Sequence, residues 1–110
     1  MVIQSKEVIT SRNYETHLVE ILEYSLDTFG YFQTEKYFNK ISQSVESLNI
    51  NYTVHPECRH LATKSRMYRN IILDAHLILY RITTECIEVL DIVHGASSIS
   101  KIKRTRQIRM

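Results

Sequence analysis

The chain has 110 residues, 44% of them hydrophobic and 24% charged, which is the size and balance of one ordinary globular domain. No run of about 18 apolar residues occurs, which excludes a membrane-spanning helix, and the start lacks a signal peptide's basic and apolar regions, so a cytoplasmic protein is expected. Two cysteines, Cys58 and Cys86, fit free thiols better than a disulfide scaffold, and the formal net charge of +2 conceals an asymmetry: residues 1–57 carry −4 and residues 58–110 carry +6. An anionic partner is therefore expected on the second half.

Two glycines and one proline punctuate the chain, so its elements should be long. Val2 to Thr10 is rich in β-branched residues and predicts a strand. Ser11 or Asn13 is the candidate N-cap for a helix whose apolar positions are Leu18, Ile21, Leu22, Ser25 and Phe29. Gly30 falls where a helix C-cap needs positive φ. A second helical period runs through Thr34, Tyr37, Phe38, Ile41, Val45 and Leu48, with Tyr37, Phe38, Ile41 and Val45 expected in the core. The two helices form a hairpin whose apolar side calls for a sheet.

After a linker from Asn49 to Glu57 the period changes. Met67–Leu73, Leu77–Thr83 and Cys86–His94 read as an antiparallel meander, with Arg59–Ala62 a possible extra strand. The whole predicts an α+β domain: N-terminal strand, helical hairpin, then an antiparallel sheet of three or four strands, over residues 1–98. Residues 99–110 form a basic tail, either a short helix or disordered.

Turn lengths set an expected register. A three-residue loop at Asp74-Ala75-His76 would pair Leu73 with Leu77 and set Arg69 opposite Arg81. A two-residue loop at Thr84-Glu85 would pair Thr83 with Cys86 and set Arg81 opposite Glu88. Alternation then gives one face Ile72, Ile78, Tyr80, Ile82, Ile87, Val89 and Val93, which suits the helices. The other face receives Arg69, Ile71, Leu73, Leu77, Leu79, Arg81, Glu88, Leu90, Ile92 and His94. With helices for only one side, this second face should lie bare and serve a partner.

Ordered motifs in these elements resemble the RelE/ParE superfamily of bacterial toxin–antitoxin toxins. They are His17-Leu18-Val19-Glu20-Ile21-Leu22-Glu23-Tyr24 in the first helix and Phe29-Gly30 at its end. Tyr68-Arg69 and Leu79-Tyr80-Arg81-Ile82 follow in the meander, and Val89-Leu90-Asp91-Ile92-Val93-His94 closes it. The resemblance spans Val2 to Ser98. It implies a toxin silenced by a cognate antitoxin in a hetero-oligomer, and covering of the second sheet face by that antitoxin. ParE-like members inhibit DNA gyrase without a catalytic step, whereas RelE-like members cut messenger RNA on the ribosome. Tyr14 and His17 replace a usual small residue and Asp, Gly95-Ala96-Ser97 stands where many members have a basic pair and Asp, and no late Tyr is present. These departures favour the ParE-like reading over the endonuclease. An inactive member that only binds a partner is the third reading.

Arg69 and Arg81, facing each other, would clamp a phosphate or dock a carboxylate of an acidic antitoxin segment; the alternative is that Glu88 neutralises Arg81 as a structural pair. For RNA cleavage, His94 with Arg69 and Arg81 would supply part of the proton-transfer and charge-stabilising set, the alternative for His94 being a hydrogen-bonded strand end. Arg59, Lys64, Arg66, Lys101, Lys103, Arg104 and Arg106 form a basic rim for a partner or nucleic acid, beside apolar Leu77, Leu79, Leu90 and Ile92; a solvated end is the alternative. His55-Pro56-Glu57-Cys58-Arg59-His60 is ligand-rich but lacks the spacing of a zinc site, so no metal and no cofactor are expected.

Overall fold

The computed structural model describes residues 4–110, so the expected strand positions Val2 and Ile3 lie outside the described residues. Strand β1 (Glu7–Thr10) leads into helix α1 (Arg12–Phe29), helix α2 (Tyr31–Glu46) and a single turn, α3 (Leu48–Asn51). The meander is β2 (Tyr68–Ile72), β3 (His76–Ile82) and β4 (Cys86–His94), followed by α4 (Ile99–Arg104). The sheet order is β1-β4-β3-β2. It is mixed: β1 lies parallel to β4, and the other pairings are antiparallel. Arg59–Leu61 forms a 3-10 turn, not the additional strand expected there.

The helix boundaries have local causes. The Ser11 hydroxyl accepts a hydrogen bond from the Tyr14 backbone N–H, satisfying one of the donors a helix start leaves open. Gly30 ends α1 with φ 85° and ψ 177°, backbone that is essentially restricted to glycine, and its N–H donates to Leu26 O. Nothing lies within 4 Å of a Cβ built there. Gly30→Ala is therefore expected to cost about 2 kcal/mol through backbone strain alone, read as a lower urea midpoint with no change in slope.

The inner stripe of the hairpin packs on the sheet. Tyr14, Ile41, Val45, Leu48 and Tyr52 share a core with Ile71, Leu73, Ile78, Tyr80, Ile87, Val89 and Ile92. Phe38 is 40% exposed and stands outside this core, contrary to the expected stripe. The Tyr80 hydroxyl donates to Tyr52 O at 2.6 Å, so this buried group is satisfied, and burial pushes its pKa far up. Burial, reinforced by the neighbouring Glu15 charge, likewise pushes the Tyr14 phenol up to about 12. His17 Nδ1 donates to the buried Asp91 carboxylate at 2.6 Å, tying α1 to β4.

Two features correct the expected register. The β2–β3 loop has two residues, Asp74 and Ala75, closed by Leu73 N–H donating to His76 O at 2.9 Å. This pairs Arg69 with Tyr80 and Tyr68 with Arg81. The β3–β4 pairing then slips by one residue between Leu79 and Tyr80, with Leu79 opposite Asp91 but Tyr80 opposite Val89, so Leu90 is an extra residue in β4. Ile71, Leu73 and Ile92 consequently join the helix-side core, while Val93 moves to the opposite side, where Tyr68 also lies. Ile72 is 65% exposed.

The second sheet face is covered, contrary to the expected bare patch. Tyr68, Leu79, Leu90 and Val93 pack there against Cys58, just before the 3-10 turn, Leu61 within it and Ile102 of α4, with Ile108 beside them. The Ser98 hydroxyl accepts from Lys101 N–H and starts α4. The basic tail thus has an apolar underside that closes the domain's second core.

Candidate functional site

Arg81 is held from both ends. Its Nε donates to Glu88 Oε1 at 2.6 Å, as the expected cross-strand pairing required, and both side chains are largely buried. Nη1 donates to Arg106 O at 3.3 Å and Nη2 to Ile108 O at 3.2 Å, so the guanidinium also fastens the tail. Arg69 lies across Tyr80 on the other face. Its Nε donates to Arg66 O at 3.2 Å, and its Nη1 to Thr53 O and His55 O, both at 2.9 Å. The two arginines do not face each other. The expected clamp between them is not formed, because the two-residue Asp74-Ala75 turn sets them on opposite sides of the sheet.

His94 belongs to neither arginine. It sits at the far end of β4, opposite His76, with the two rings 5.7 Å apart. The exposed His94 accepts a hydrogen bond at Nδ1 from Ala96 N–H at 3.1 Å. His76 Nδ1 and the Tyr37 hydroxyl share a hydrogen bond at 2.6 Å, joining β3 to α2. Burial, and then the neighbouring His94, lower the His76 pKa below the ordinary imidazole value; burial and Arg69 do the same to His55. A lowered histidine pKa means the unfolded chain binds more protons, so this stability is complete above about pH 6.5 and falls as the pH drops through that value. Urea midpoints are expected to fall between pH 7 and pH 5, and His76→Gln should flatten that dependence, with His55 supplying what is left.

His76 and His94 line one end of a groove. Its other walls are Glu20, Ile21, Tyr24, Ser25 and Phe29 of α1, Gln33 and Tyr37 of α2, and the Asp74-Ala75 turn. The cavity measures about 780 Å³. A smaller depression on the outer side of the hairpin lies between Val19, Leu22, Leu26, Tyr31 and Phe38. Phe29 is 62% exposed and Phe32 83%, large values for phenylalanines in helices. The sequence reading missed this surface. Its signal is a second stripe on α1, Val19, Leu22, Leu26 and Phe29, offset from the inward Tyr14, Leu18, Ile21 and Ser25. A helix with two apolar stripes has two faces to cover, and the sheet covers one.

The remaining expected contact residues divide by burial. Leu79, Leu90 and Ile92 are fully enclosed in the two cores, and Leu77 is half-buried beside the second. Arg59, Lys64, Arg66, Lys101, Lys103, Arg104 and Arg106 are exposed. Helix α4 packs on the 3-10 turn that carries Arg59, so tail and turn form one basic surface. Arg106 and Arg81 both lie over the Tyr68 ring, at 5.5 and 5.7 Å. Among the described residues no group of three or more His, Cys, Asp or Glu side chains is placed to hold a metal ion, and no helix is long and apolar enough to cross a membrane. Both cysteines are free thiols.

This arrangement can be compared with known proteins. The family model described as ParE toxin of type II toxin–antitoxin system, parDE, matches residues 8–99, from β1 to the first residue of α4. The chain belongs to the ParE toxin family. Within the RelE/ParE superfamily it is a ParE-type toxin of a type II toxin–antitoxin system. Toxin ParE1 of Mycobacterium tuberculosis, from strains CDC 1551 / Oshkosh and ATCC 25618 / H37Rv, is 24% identical over 98 residues, covering 88% of this chain and 97% of that toxin. A chain from a structure titled "Chromosomal ParDE TA system from P. aeruginosa" superposes with a TM-score of 0.67 at 15% identity, covering 83% of this chain and 97% of its own. The strand, hairpin and mixed sheet are therefore the ParE fold. Two positions where this chain departs from the superfamily pattern have structural roles here: Tyr14 fills the core, and His17 holds Asp91.

Proposed function

We propose that this ParE-type toxin acts by binding DNA gyrase, without a catalytic step, and that a cognate antitoxin silences it. The observation that carries the non-catalytic reading is the separation of Arg69, Arg81 and His94. RNA cleavage needs a proton acceptor, a proton donor and cations around one phosphate. Here one guanidinium is bound to Glu88 and the tail, the other is bound to loop carbonyls on the opposite face, and His94 stands at the other end of the sheet. A ribosome-bound endonuclease would have to draw its cations from elsewhere.

The antitoxin is proposed to seat apolar side chains in the groove between α1, α2 and the β2–β3 turn, where Tyr24 and Phe29 offer exposed aromatic area. An acidic stretch of the same partner would follow the basic surface of Arg59, Lys64, Lys101, Lys103, Arg104 and Arg106. Leu79 and Leu90 would support this surface from within, and neither they nor Ile92 of the helix-side core would touch a partner.

Induced expression tests the target. Filamentation with a DNA-damage response, together with inhibition of purified gyrase in a supercoiling assay, is the expected result, and His94→Ala should leave it unchanged. Immediate translation arrest with cleaved transcripts would overturn the proposal in favour of the nuclease. Absence of any growth effect would leave only a partner-binding module. For the antitoxin, Tyr24→Glu with Phe29→Glu should weaken the complex about 30-fold or more, as loss of an interface hot spot does.

A further inference from the structure

A second cavity, of about 570 Å³, lies at the opposite end of the sheet from the histidines. Its walls come from the residue before β1, the loop after α3, the entry to β2 and the β3–β4 turn, and they include Lys6, Arg66 and Arg69 but no Asp or Glu. Three cations, Lys6 from one segment and Arg66 and Arg69 from another, therefore border one opening. Ser65, Thr53, Thr83 and Thr84 add hydroxyls to its lining.

Two of the cations are fixed in place. Lys6 Nζ donates to Thr83 O at 2.6 Å and lies 5.1 Å from the centre of the Tyr52 ring. Arg69 is held through Nε and Nη1 by the carbonyls of Arg66, Thr53 and His55, bonds that leave its Nη2 uninvolved. Neither Lys6 nor Arg69 has a carboxylate partner among the described residues. Arg66 has a loose one, Glu57 at 3.7 Å, and Arg66 itself adopts φ 55°, the left-handed region that non-glycine residues seldom occupy. That turn presents the Arg66 carbonyl to Arg69.

Carbonyl contacts position a cation but do not neutralise it. Holding the 53–55 loop and the Arg66 turn accounts for Nη1 and Nε of Arg69, and leaves unexplained why Lys6 stands at the same opening with no carboxylate partner and Arg66 with only the loose Glu57 contact. Fixed donors around an uncompensated positive charge are what an oxyanion site requires: the ordering cost is met during folding, and charge-assisted hydrogen bonds form on binding.

We propose that this cavity binds a phosphate group, carried either by a small molecule or by a nucleic-acid backbone. The full-length chain is titrated with inorganic phosphate at low ionic strength and followed by amide NMR. Saturable shifts are expected at Lys6, Ser65 to Arg69, Thr83 and Thr84. Ser65→Glu and Thr84→Glu, both at exposed positions, place a carboxylate in the lining without removing the Arg69 contacts; each should weaken phosphate binding about tenfold or more while the urea midpoint holds. Arg69→Gln should also abolish binding, but it can loosen the 53–55 loop, so the two glutamate variants decide. A short DNA duplex is then added. Displacement of phosphate from the same amides, with strong salt dependence, assigns the site to a nucleic-acid backbone. Retention of phosphate while the duplex shifts only α4 assigns it to a small molecule. Phosphate shifts confined to α4 and the tail, or unchanged by both glutamate variants, would overturn the proposal.

Discussion

Replacing Arg81 by alanine is expected to destabilise the fold by about 3 kcal/mol and to release the C-terminal segment from the sheet. The side chains of Arg81 and Glu88 are 14% and 17% exposed, so removing the guanidinium leaves a largely buried carboxylate without its cation. Breaking a buried pair from one side is costly for that reason, and the remaining exposure places the effect at the low end of the usual range. The same substitution removes the donors to Arg106 O and Ile108 O. Two readouts should move together: the urea midpoint falls, and amide exchange accelerates across residues 99–108. Glu88→Gln keeps a hydrogen-bond acceptor for Nε and should cost about 1 kcal/mol. Loss of stability without faster exchange in the tail would show that Arg81 acts only through Glu88.

The parts legible in the sequence were those with a single local solution. A cap had to stand at Ser11 or Asn13, because a helix start needs a side-chain acceptor, and Gly30 had to end α1, because only glycine takes φ 85° with ψ 177° at little cost. The Thr84-Glu85 turn and the Arg81–Glu88 pair followed from turn length and opposite charge. The β2–β3 register did not. Leu73, Asp74, Ala75, His76 and Leu77 accommodate a two- or three-residue loop equally well in sequence. Alternation could not decide, since both faces of β2 and β3 are apolar, and a slip of one residue exchanges one apolar set for another. The extra residue Leu90 was hidden by the same ambiguity, lying in the run Val89-Leu90-Asp91-Ile92-Val93.

The candidate site failed in the sequence for a related reason. Arg69 was placed opposite Arg81 by the wrong loop length, and the clamp inferred from that juxtaposition went with it. Charge also concealed packing. Five basic residues in the last ten made the tail read as a separate strip, yet Ile102 and Ile108 are its anchors on the sheet. On α1 the opposite error arose: Leu22 and Phe29 were assigned to one apolar stripe with Leu18, Ile21 and Ser25, although their spacing with Val19 and Leu26 describes a face the sheet does not reach. The positive charge of the second half is accordingly divided by structure. Arg81 is neutralised, Arg69 is held by carbonyls, Arg66 borders the cavity beside Lys6, and α4 with the 3-10 turn presents Arg59, Lys101, Lys103 and Arg104.

Ending the chain after Ser98 should lower stability by roughly 2–4 kcal/mol and leave a protein that self-associates. The removed segment contributes buried Ile102, half-buried Ile108 and two acceptors for Arg81, against the entropy of ordering twelve residues. Its departure uncovers Tyr68, Leu79, Leu90 and Val93, a contiguous apolar patch of the kind that drives association. Sedimentation and dye binding should report larger species with exposed apolar surface, together with a reduced urea midpoint. Two point variants separate packing from charge within the intact chain. Ile102→Ala should reproduce much of the lost stability, about 2–3 kcal/mol, because it empties part of the second core. Lys103→Ala, on the exposed side of α4, should leave the midpoint within about 0.5 kcal/mol of the parent. If the shortened chain unfolded at the parent's midpoint and stayed monomeric, residues 99–110 would be an appendage to a domain complete at Ser98. The basic surface would then be free to move with a partner; if the expected loss is found, α4 presents its lysines and arginines from a fixed platform.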